Sequence, residues 1–106
     1  MLNVTLPITP ALHDYLFRES VRESDLLRRL REETEAHPRA GMQIAPEQGQ
    51  FMALLVRLMQ ARRIVEVGTF TGYSSICMAS AMPPDGRLIA CDVSEEFTAV
   101  ARGYWA

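Results

Sequence analysis

Apolar residues recur at helical spacing in three segments of the first 60 residues, and each segment predicts a helix. The first is expected to begin at Pro10, directly after Thr9. A threonine hydroxyl can accept a hydrogen bond from the free amides at a helix start, and proline is well tolerated at the first helical position. We expect this helix to end near Val21.

The second and third predicted helices are amphipathic. The second is expected to begin with a capping box, the pattern S-x-x-E from Ser20 to Glu23, and to stop before His37. The third begins at Pro46. Each helix is expected to bury one apolar stripe, and the two stripes consist of Leu26, Leu27, Leu30 and Thr34 and of Phe51, Leu54, Leu55 and Leu58.

The pattern changes after residue 60 to short apolar runs bounded by turns. Residues 63–67 (RIVEV) end at Gly68 and predict one strand, and residues 87–91 (RLIAC) predict another. Helical spacing returns over residues 73–81 and again after Ser94, which is expected to cap the last helix. Because a strand, helix, strand order demands a parallel pair, the loops that follow the two strands should lie side by side.

The predicted fold class is therefore α/β. We expect a single domain over residues 1–106, in which a helical portion (residues 1–60) precedes the start of a Rossmann-like parallel sheet (residues 61–106). Parallel sheets are normally covered on both faces. Two strands alone would leave one face and both edges of the sheet unprotected.

The amino-acid composition limits the kinds of binding partner and the cellular compartment that we expect. With 11 basic and 13 acidic residues and no run of like charge, neither nucleic acid nor an anionic membrane is favoured as a partner. No apolar run approaches the roughly 20 residues that span a bilayer, and the first residues lack a basic signal segment, so we expect a cytoplasmic protein. Cys77 and Cys91 lack the spacing of a redox or zinc motif and are expected to be buried, reduced thiols.

The stretch from Glu66 to Ser74 (EVGTFTGYS), together with Asp92, predicts a ligand site. Ligands of such folds bind outside the carboxyl ends of the strands, where Gly68 lets the backbone approach without a Cβ in the way. Asp92 ends the second strand and can accept hydrogen bonds from both hydroxyls of a ribose. Glu66 suits a cationic or hydrogen-bond-donating part of the ligand, and the Ser74 hydroxyl suits an amino-acid tail.

The glycine spacing indicates which cofactor would fit. A dinucleotide site requires G-x-G-x-x-G so that a pyrophosphate can lie against bare backbone, but here Phe70 occupies the position two after Gly68. The spacing therefore favours S-adenosylmethionine and disfavours a nicotinamide dinucleotide. Taken singly, each polar residue has an ordinary explanation: Glu66 as a solvated acid at a strand end, Ser74 as a helix-start residue and Asp92 as a helix cap.

Four blocks of the sequence resemble the cation-dependent O-methyltransferases related to caffeoyl-CoA and catechol O-methyltransferases. Their order and separation match the family, and the resemblance extends from roughly residue 12 to the last residue. The blocks are MQIAPEQGQF (residues 42–51), VEVGTFTGYS (65–74), PDGRLIACD (84–92) and ARGYW (101–105).

The resemblance implies a fold and a cofactor site. It implies the first βαβα portion of a class I methyltransferase fold with an incomplete parallel sheet, from a family whose members commonly form homodimers. Together with the stripe from Leu26 to Leu30, this habit predicts dimerisation through the N-terminal helices and the exposed sheet. The family's S-adenosylmethionine contacts fall on Ile44 (through its backbone), Glu66, Gly68, Thr69, Ser74 and Asp92.

The resemblance also implies a reaction. Family members transfer a methyl group from the sulfonium to a hydroxyl of a catechol-like or phenolic small molecule, while a divalent metal such as Mg²⁺ lowers the phenol's pKa and orients it. The family's metal ligands, two aspartates and an asparagine, would lie beyond residue 106. We therefore assign no catalytic and no metal-binding residue to this chain, and we expect no methyl transfer by it alone.

Two other functions stay open at this point. One is a non-catalytic cofactor-binding or oligomerisation module whose N-terminal helices hold a partner chain. The other is a fragment of an NAD-dependent oxidoreductase, which Phe70 disfavours. The methyl acceptor and the metal cannot be read from these residues.

Overall fold

The computed structural model describes residues 5–106, so residues 1–4 of the expected helical portion lie outside the described residues. Three helices precede a strand, helix, strand, helix order, which confirms the α/β class and the parallel strands. A short 3₁₀ turn, Ala40–Met42, precedes the third helix. The elements are α1 (Pro10–Ser20), α2 (Asp25–Glu35), α3 (Pro46–Met59), β1 (Arg63–Val67), α4 (Tyr73–Ser80), β2 (Arg87–Cys91) and α5 (Glu95–Trp105).

The predicted start of α1 is confirmed, whereas the predicted start of α2 is wrong. Ser20 does not open a capping box, because it is the last residue of α1 and its hydroxyl donates to the Leu16 carbonyl. Ser24 caps α2 instead, accepting a hydrogen bond from the Leu27 amide at 3.2 Å. Glu23 turns away from the helix start because its carboxylate binds an arginine and a tyrosine side chain.

Helix α4 lies at the centre of the packing. Leu30 of α2 is fully buried in a cluster with Tyr73, Ile76 and Cys77 of α4, and the other leucines of the α2 stripe pack against that cluster. The predicted buried stripe of α2 is therefore confirmed. Helix α3 approaches α4 closely at Gly49, where a Cβ would lie 2.7 Å from the Cys77 sulfur.

The prediction that the apolar stripe of α3 is buried is wrong, because its residues are exposed. Phe51 and Leu58 are 58% and 70% exposed, while Gly49 and Val56, seven residues apart, are buried. Apolar residues occur on both sides of α3, and the side that fits against α4 is the one with the glycine. We call Phe51, Leu54, Leu55 and Leu58 the outer α3 face.

The two strands pair in parallel, from Arg63 opposite Arg87 to Val67 opposite Cys91. Alternate side chains point to opposite faces of a strand. One face lies against α4, and the other, which we call the open sheet face, carries Val65, Val67, Ile89 and Cys91 in exposed positions. The expectation of one uncovered face is confirmed.

The same alternation corrects the prediction for the thiols. Both cysteines are free, but only Cys77 is buried. Cys91 is exposed because it belongs to the open sheet face. Within residues 5–106, no helix has the length and apolar character needed to cross a membrane.

Candidate functional site

The loop between β1 and α4 adopts an unusual backbone conformation. Gly68 and Gly72 have φ values of +92° and +91°, and Phe70 has φ +52°, so three residues of the loop are left-handed. Glycine adopts this region without a steric penalty. Within residues 5–106, no heavy atom beyond Gly68 and its two chain neighbours lies within 4 Å of where a Cβ of Gly68 would be, which leaves the open approach to the backbone that the sequence predicts.

Asp92 joins this loop to the end of β2. Its Oδ2 accepts hydrogen bonds from the amides of Thr69 and Phe70, both at 2.9 Å, and its Oδ1 accepts one from the Ser94 amide at 2.9 Å. The two loops therefore lie side by side as predicted. The hydrogen bond from the Phe70 amide is the largest cause that lowers the pKa of Asp92, and the other amides add to it. The carboxylate is therefore ionised at neutral pH.

The hydrogen bonds of Asp92 limit what else it can bind. A carboxylate offers about four acceptor positions, and three are used here. The remaining position lies on Oδ1. A contact between Asp92 and a ribose stays a prediction, and the loop geometry narrows it to one hydroxyl unless a backbone amide is displaced.

Glu66 is not a solvated acid at a strand end. It is only 9% exposed, and its two carboxylate oxygens accept hydrogen bonds from the hydroxyls of Ser74, at 2.6 Å, and Ser75. Both serines belong to the first turn of α4. Since the Ser74 hydroxyl donates its hydrogen bond to Glu66, it can bind a ligand only as an acceptor.

A small cavity of about 60 Å³ lies between the segment that precedes α3 and the loop that leads into α4. Four of the six predicted cofactor residues line it, namely Ile44, Gly68, Thr69 and Ser74. The other two, Glu66 and Asp92, are tied to it through their hydrogen bonds to Ser74 and Thr69. The complete lining consists of Met42, Gln43, Ile44, Gly68, Thr69, Phe70, Thr71, Tyr73 and Ser74.

Two oxygen atoms in this lining lack a partner. The Oε1 of Gln43 and the Oγ1 of Thr69 are buried, and neither has a hydrogen-bond partner within residues 5–106. Leaving a buried polar group unpaired costs about 1–3 kcal/mol, so such atoms are normally satisfied. The lining therefore fits a ligand with polar groups. Sequence reasoning missed Gln43, although it adjoins Ile44 in a block that carries the family resemblance.

Aromatic side chains hold the loop from its other side. Phe70 is 7% exposed, and its ring packs edge-on against the rings of Phe97 and His37, with centroids 4.8 and 5.9 Å away. The His37 Nε2 lies 3.2 Å from a carboxylate oxygen of Glu96. The backbone of Phe70 is thus fixed both by its ring and by Asp92.

A larger cavity, of about 490 Å³, lies apart from this loop between α2, α4, β2 and α5. It contains none of the predicted site residues, and neither of the unpaired oxygens of the small cavity opens into it. We therefore place the candidate site at the small cavity in spite of its size. Within residues 5–106, no three His, Cys, Asp or Glu side chains form a group that could hold a metal ion.

The βαβα order, and a ligand loop at the carboxyl ends of the strands, are features of class I methyltransferases. The chain belongs to the O-methyltransferase family, whose family model matches residues 17–106. It is 46% identical over 87 residues to a probable caffeoyl-CoA O-methyltransferase of Arabidopsis thaliana, covering 80% of this chain and 38% of the relative. The resemblance seen in the sequence blocks is thereby confirmed.

Solved structures of O-methyltransferases share the fold. One, from Streptomyces achromogenes and involved in tomaymycin synthesis, was solved in complex with SAM; it is 36% identical, with a TM-score of 0.78 over 89% of this chain and 42% of that chain. Another, from Bacillus cereus and in complex with SAH, is 30% identical, with a TM-score of 0.81 over 89% of this chain and 43% of that chain. The chain thus spans well under half the length of these relatives.

Proposed function

We propose that this chain is the S-adenosylmethionine-binding portion of an O-methyltransferase. The observation that carries the proposal is the small cavity beside a carboxylate-organised loop, with two buried oxygens that have no partner within residues 5–106. The similar proteins solved with SAM and SAH support this choice of ligand.

The size of the cavity indicates which part of the cofactor it takes. Pockets that enclose a whole small molecule measure about 300–1,000 Å³, and this cavity measures about 60 Å³. We propose that it holds the amino-acid end, while the ribose lies along the loop toward the free acceptor position of Asp92. The bound cofactor supplies an electrophilic methyl group, and the residues of this chain hold and orient that donor.

The proposed reaction is methyl transfer to a hydroxyl of a catechol-like or phenolic small molecule, assisted by a divalent metal such as Mg²⁺. The similarity to a caffeoyl-CoA O-methyltransferase supports this acceptor class. A phenol with a pKa of about 10 is largely protonated at neutral pH, and a metal would make it a better nucleophile.

The proposed compartment is the cytoplasm. Both cysteines are free thiols, which is consistent with its reducing environment.

We expect the purified chain alone not to methylate catechols, even with Mg²⁺ and cofactor, because a hard cation needs several oxygen ligands together. A radiolabelled methyl-transfer assay, with and without the separately expressed downstream half of a relative, tests this expectation. Turnover by the chain alone would contradict it. Activity that appears only on mixing would support it.

A nicotinamide dinucleotide is a weaker candidate for this loop. The amides of Thr69 and Phe70, which a pyrophosphate would need, already donate to Asp92, and a negative carboxylate next to a pyrophosphate is repulsive. Titration with NAD in parallel with S-adenosylhomocysteine separates the two cofactors. Tighter binding of NAD would overturn the proposed cofactor.

Calorimetric titration with S-adenosylhomocysteine also tests Asp92. Asp92→Ala is expected to weaken binding by about 1–3 kcal/mol, because the loop loses its carboxylate and the ligand loses a charged acceptor. Asp85→Ala is the matched control, since Asp85 is an exposed turn residue that pairs with Arg62. Equal affinity of Asp92→Ala and the unaltered chain would remove Asp92 from the site.

We also propose that the chain forms a homodimer, although not through the stripe from Leu26 to Leu30. That stripe is used within the core and is not available to a partner. The outer α3 face and the open sheet face are the exposed apolar surfaces that support the proposal. Sedimentation at micromolar concentration tests it, and a dimer that binds no cofactor would favour the non-catalytic module instead.

A further inference from the structure

We infer that the Gln43 side chain recognises the α-amino group of the methyl donor, an inference that rests on the proposed function. Gln43 precedes α3 and lines the small cavity, where its Oε1 is buried without a partner in the described part of the chain. A carbonyl oxygen can only accept hydrogen bonds. The missing partner must therefore be a donor, and an ammonium group carries three.

Most of the other acceptors near the cavity are already engaged. Both oxygens of Glu66 accept serine hydroxyls, and the carboxylate of Asp92 is occupied by three backbone amides. Thr69 is 2% exposed, and its Oγ1 also lacks a partner within residues 5–106. Two residues that line one cavity, Gln43 and Thr69, thus carry unengaged oxygens, which suits a donor group with several hydrogens.

The same cavity also offers a place for a negative group. Tyr73 and Ser74, the first two residues of α4, line it, and no side chain caps this helix because Gly72 is its N-cap. Free amides at a helix start carry partial positive charge and favour a carboxylate. The lining is therefore complementary to an α-amino acid zwitterion, with the carboxylate at α4 and the ammonium at Gln43.

Gln43→Met tests the inference, because methionine keeps a similar length and removes the carbonyl. Two ligands are compared by calorimetric titration: S-adenosylhomocysteine, which has the amino-acid end, and methylthioadenosine, which lacks it. The substitution is expected to weaken S-adenosylhomocysteine binding about tenfold and to change methylthioadenosine binding less than about twofold. Gln48→Met is the matched control, since Gln48 is exposed on α3.

Equal losses for both ligands would overturn the inference and assign Gln43 a structural role. No loss for either ligand would also overturn it and leave Gln43 without a role in binding. A second measurement needs no substitution: an S-adenosylhomocysteine analogue without the α-amino group should bind the unaltered chain about tenfold more weakly. Equal binding of this analogue would also overturn the inference. Absence of any S-adenosylhomocysteine binding by the unaltered chain would instead overturn the proposed function itself.

Discussion

The two faces of the same small sheet have opposite environments. Glu66 is 9% exposed on the face that meets α4, whereas its neighbour Val67 is 86% exposed on the open sheet face. Hydrophobicity alone would place these residues the other way round. Serine hydroxyls from α4 compensate the buried carboxylate, and no described element covers the valine.

The contrast between the two faces identifies the elements that assemble the candidate site. Helix α4 contacts α2, α3 and β2, and the candidate cofactor cavity is lined by the segment before α3 and by the loop that leads into α4. The open sheet face and the outer α3 face contribute little to that assembly. Substitutions of the same kind on the two sides should therefore have very different consequences.

The largest difference in the loss of stability is expected between alanine substitutions of two leucines, Leu30 and Leu58. Leu30→Ala should destabilise the chain by about 2–5 kcal/mol, because it leaves a cavity under α4. At a concentration at which the chain is monomeric, Leu58→Ala on the outer α3 face should change stability by less than about 0.5 kcal/mol, since Leu58 is 70% exposed in the single chain. Urea denaturation measures both. Similar losses for the two variants would mean that the outer α3 face is covered in solution.

A second, smaller difference is expected among glycines. Gly72→Ala should cost about 3 kcal/mol, because its Cβ would meet Ala101 and Trp105 at 2.9 Å in a left-handed backbone. Gly68→Ala should cost only about 1 kcal/mol, since it adds backbone strain in open space.

Gly103→Ala is the control for this series. Gly103 lies in α5 with nothing near its Cβ position, and alanine should stabilise the helix by about 0.5–1 kcal/mol. The three free energies of unfolding are compared by urea denaturation. If Gly68→Ala costs as much as Gly72→Ala, the loop is packed at both ends and the open approach at Gly68 is refuted.

The last contrast is between the two thiols, which are expected to differ in chemical reactivity and not in their effect on stability. Burial raises the pKa of Cys77 to about 11, so its thiolate is scarce at pH 8. Cys91 is exposed in the single chain and should react with iodoacetamide in the native monomer, while both thiols react in urea. Peptide mass spectrometry identifies the labelled residue. Rapid labelling of Cys77 in the native chain would contradict the packing of α3 on α4.

The sequence predicts the helices and strands well because their signals are local. A proline marks the start of both α1 and α3, a threonine hydroxyl also caps α1, and the β-branched run before Gly68 marks β1. The start of α2 was misplaced because two serines precede it, and both offer plausible caps. Only the tertiary contacts of Glu23 with Arg31 and Tyr73 decide between them.

The candidate site was predictable in its residues but not in their roles. The positions of Gly68 and Asp92 follow from strand ends, which any parallel sheet brings together. Side-chain geometry, which no spacing rule contains, determines two of these roles. Asp92 accepts hydrogen bonds from loop amides, and Ser74 donates one to Glu66. Gln43 was missed for the same reason, since only its burial reveals the unpaired oxygen.

The hydrogen bonds of Asp92 link the order of the loop to acidity. Because the folded chain lowers the pKa of Asp92 below its ordinary value of 3.8, its contribution to stability is present above that value and is lost as the pH falls further. Protonation would release the amides of Thr69 and Phe70. The cluster under α4 is held mainly by apolar contacts around Leu30, which do not titrate, and the hydrogen bond from Tyr73 to Glu23 is its acid-sensitive contact. In strong acid the loop should therefore open to hydrogen exchange before the core does.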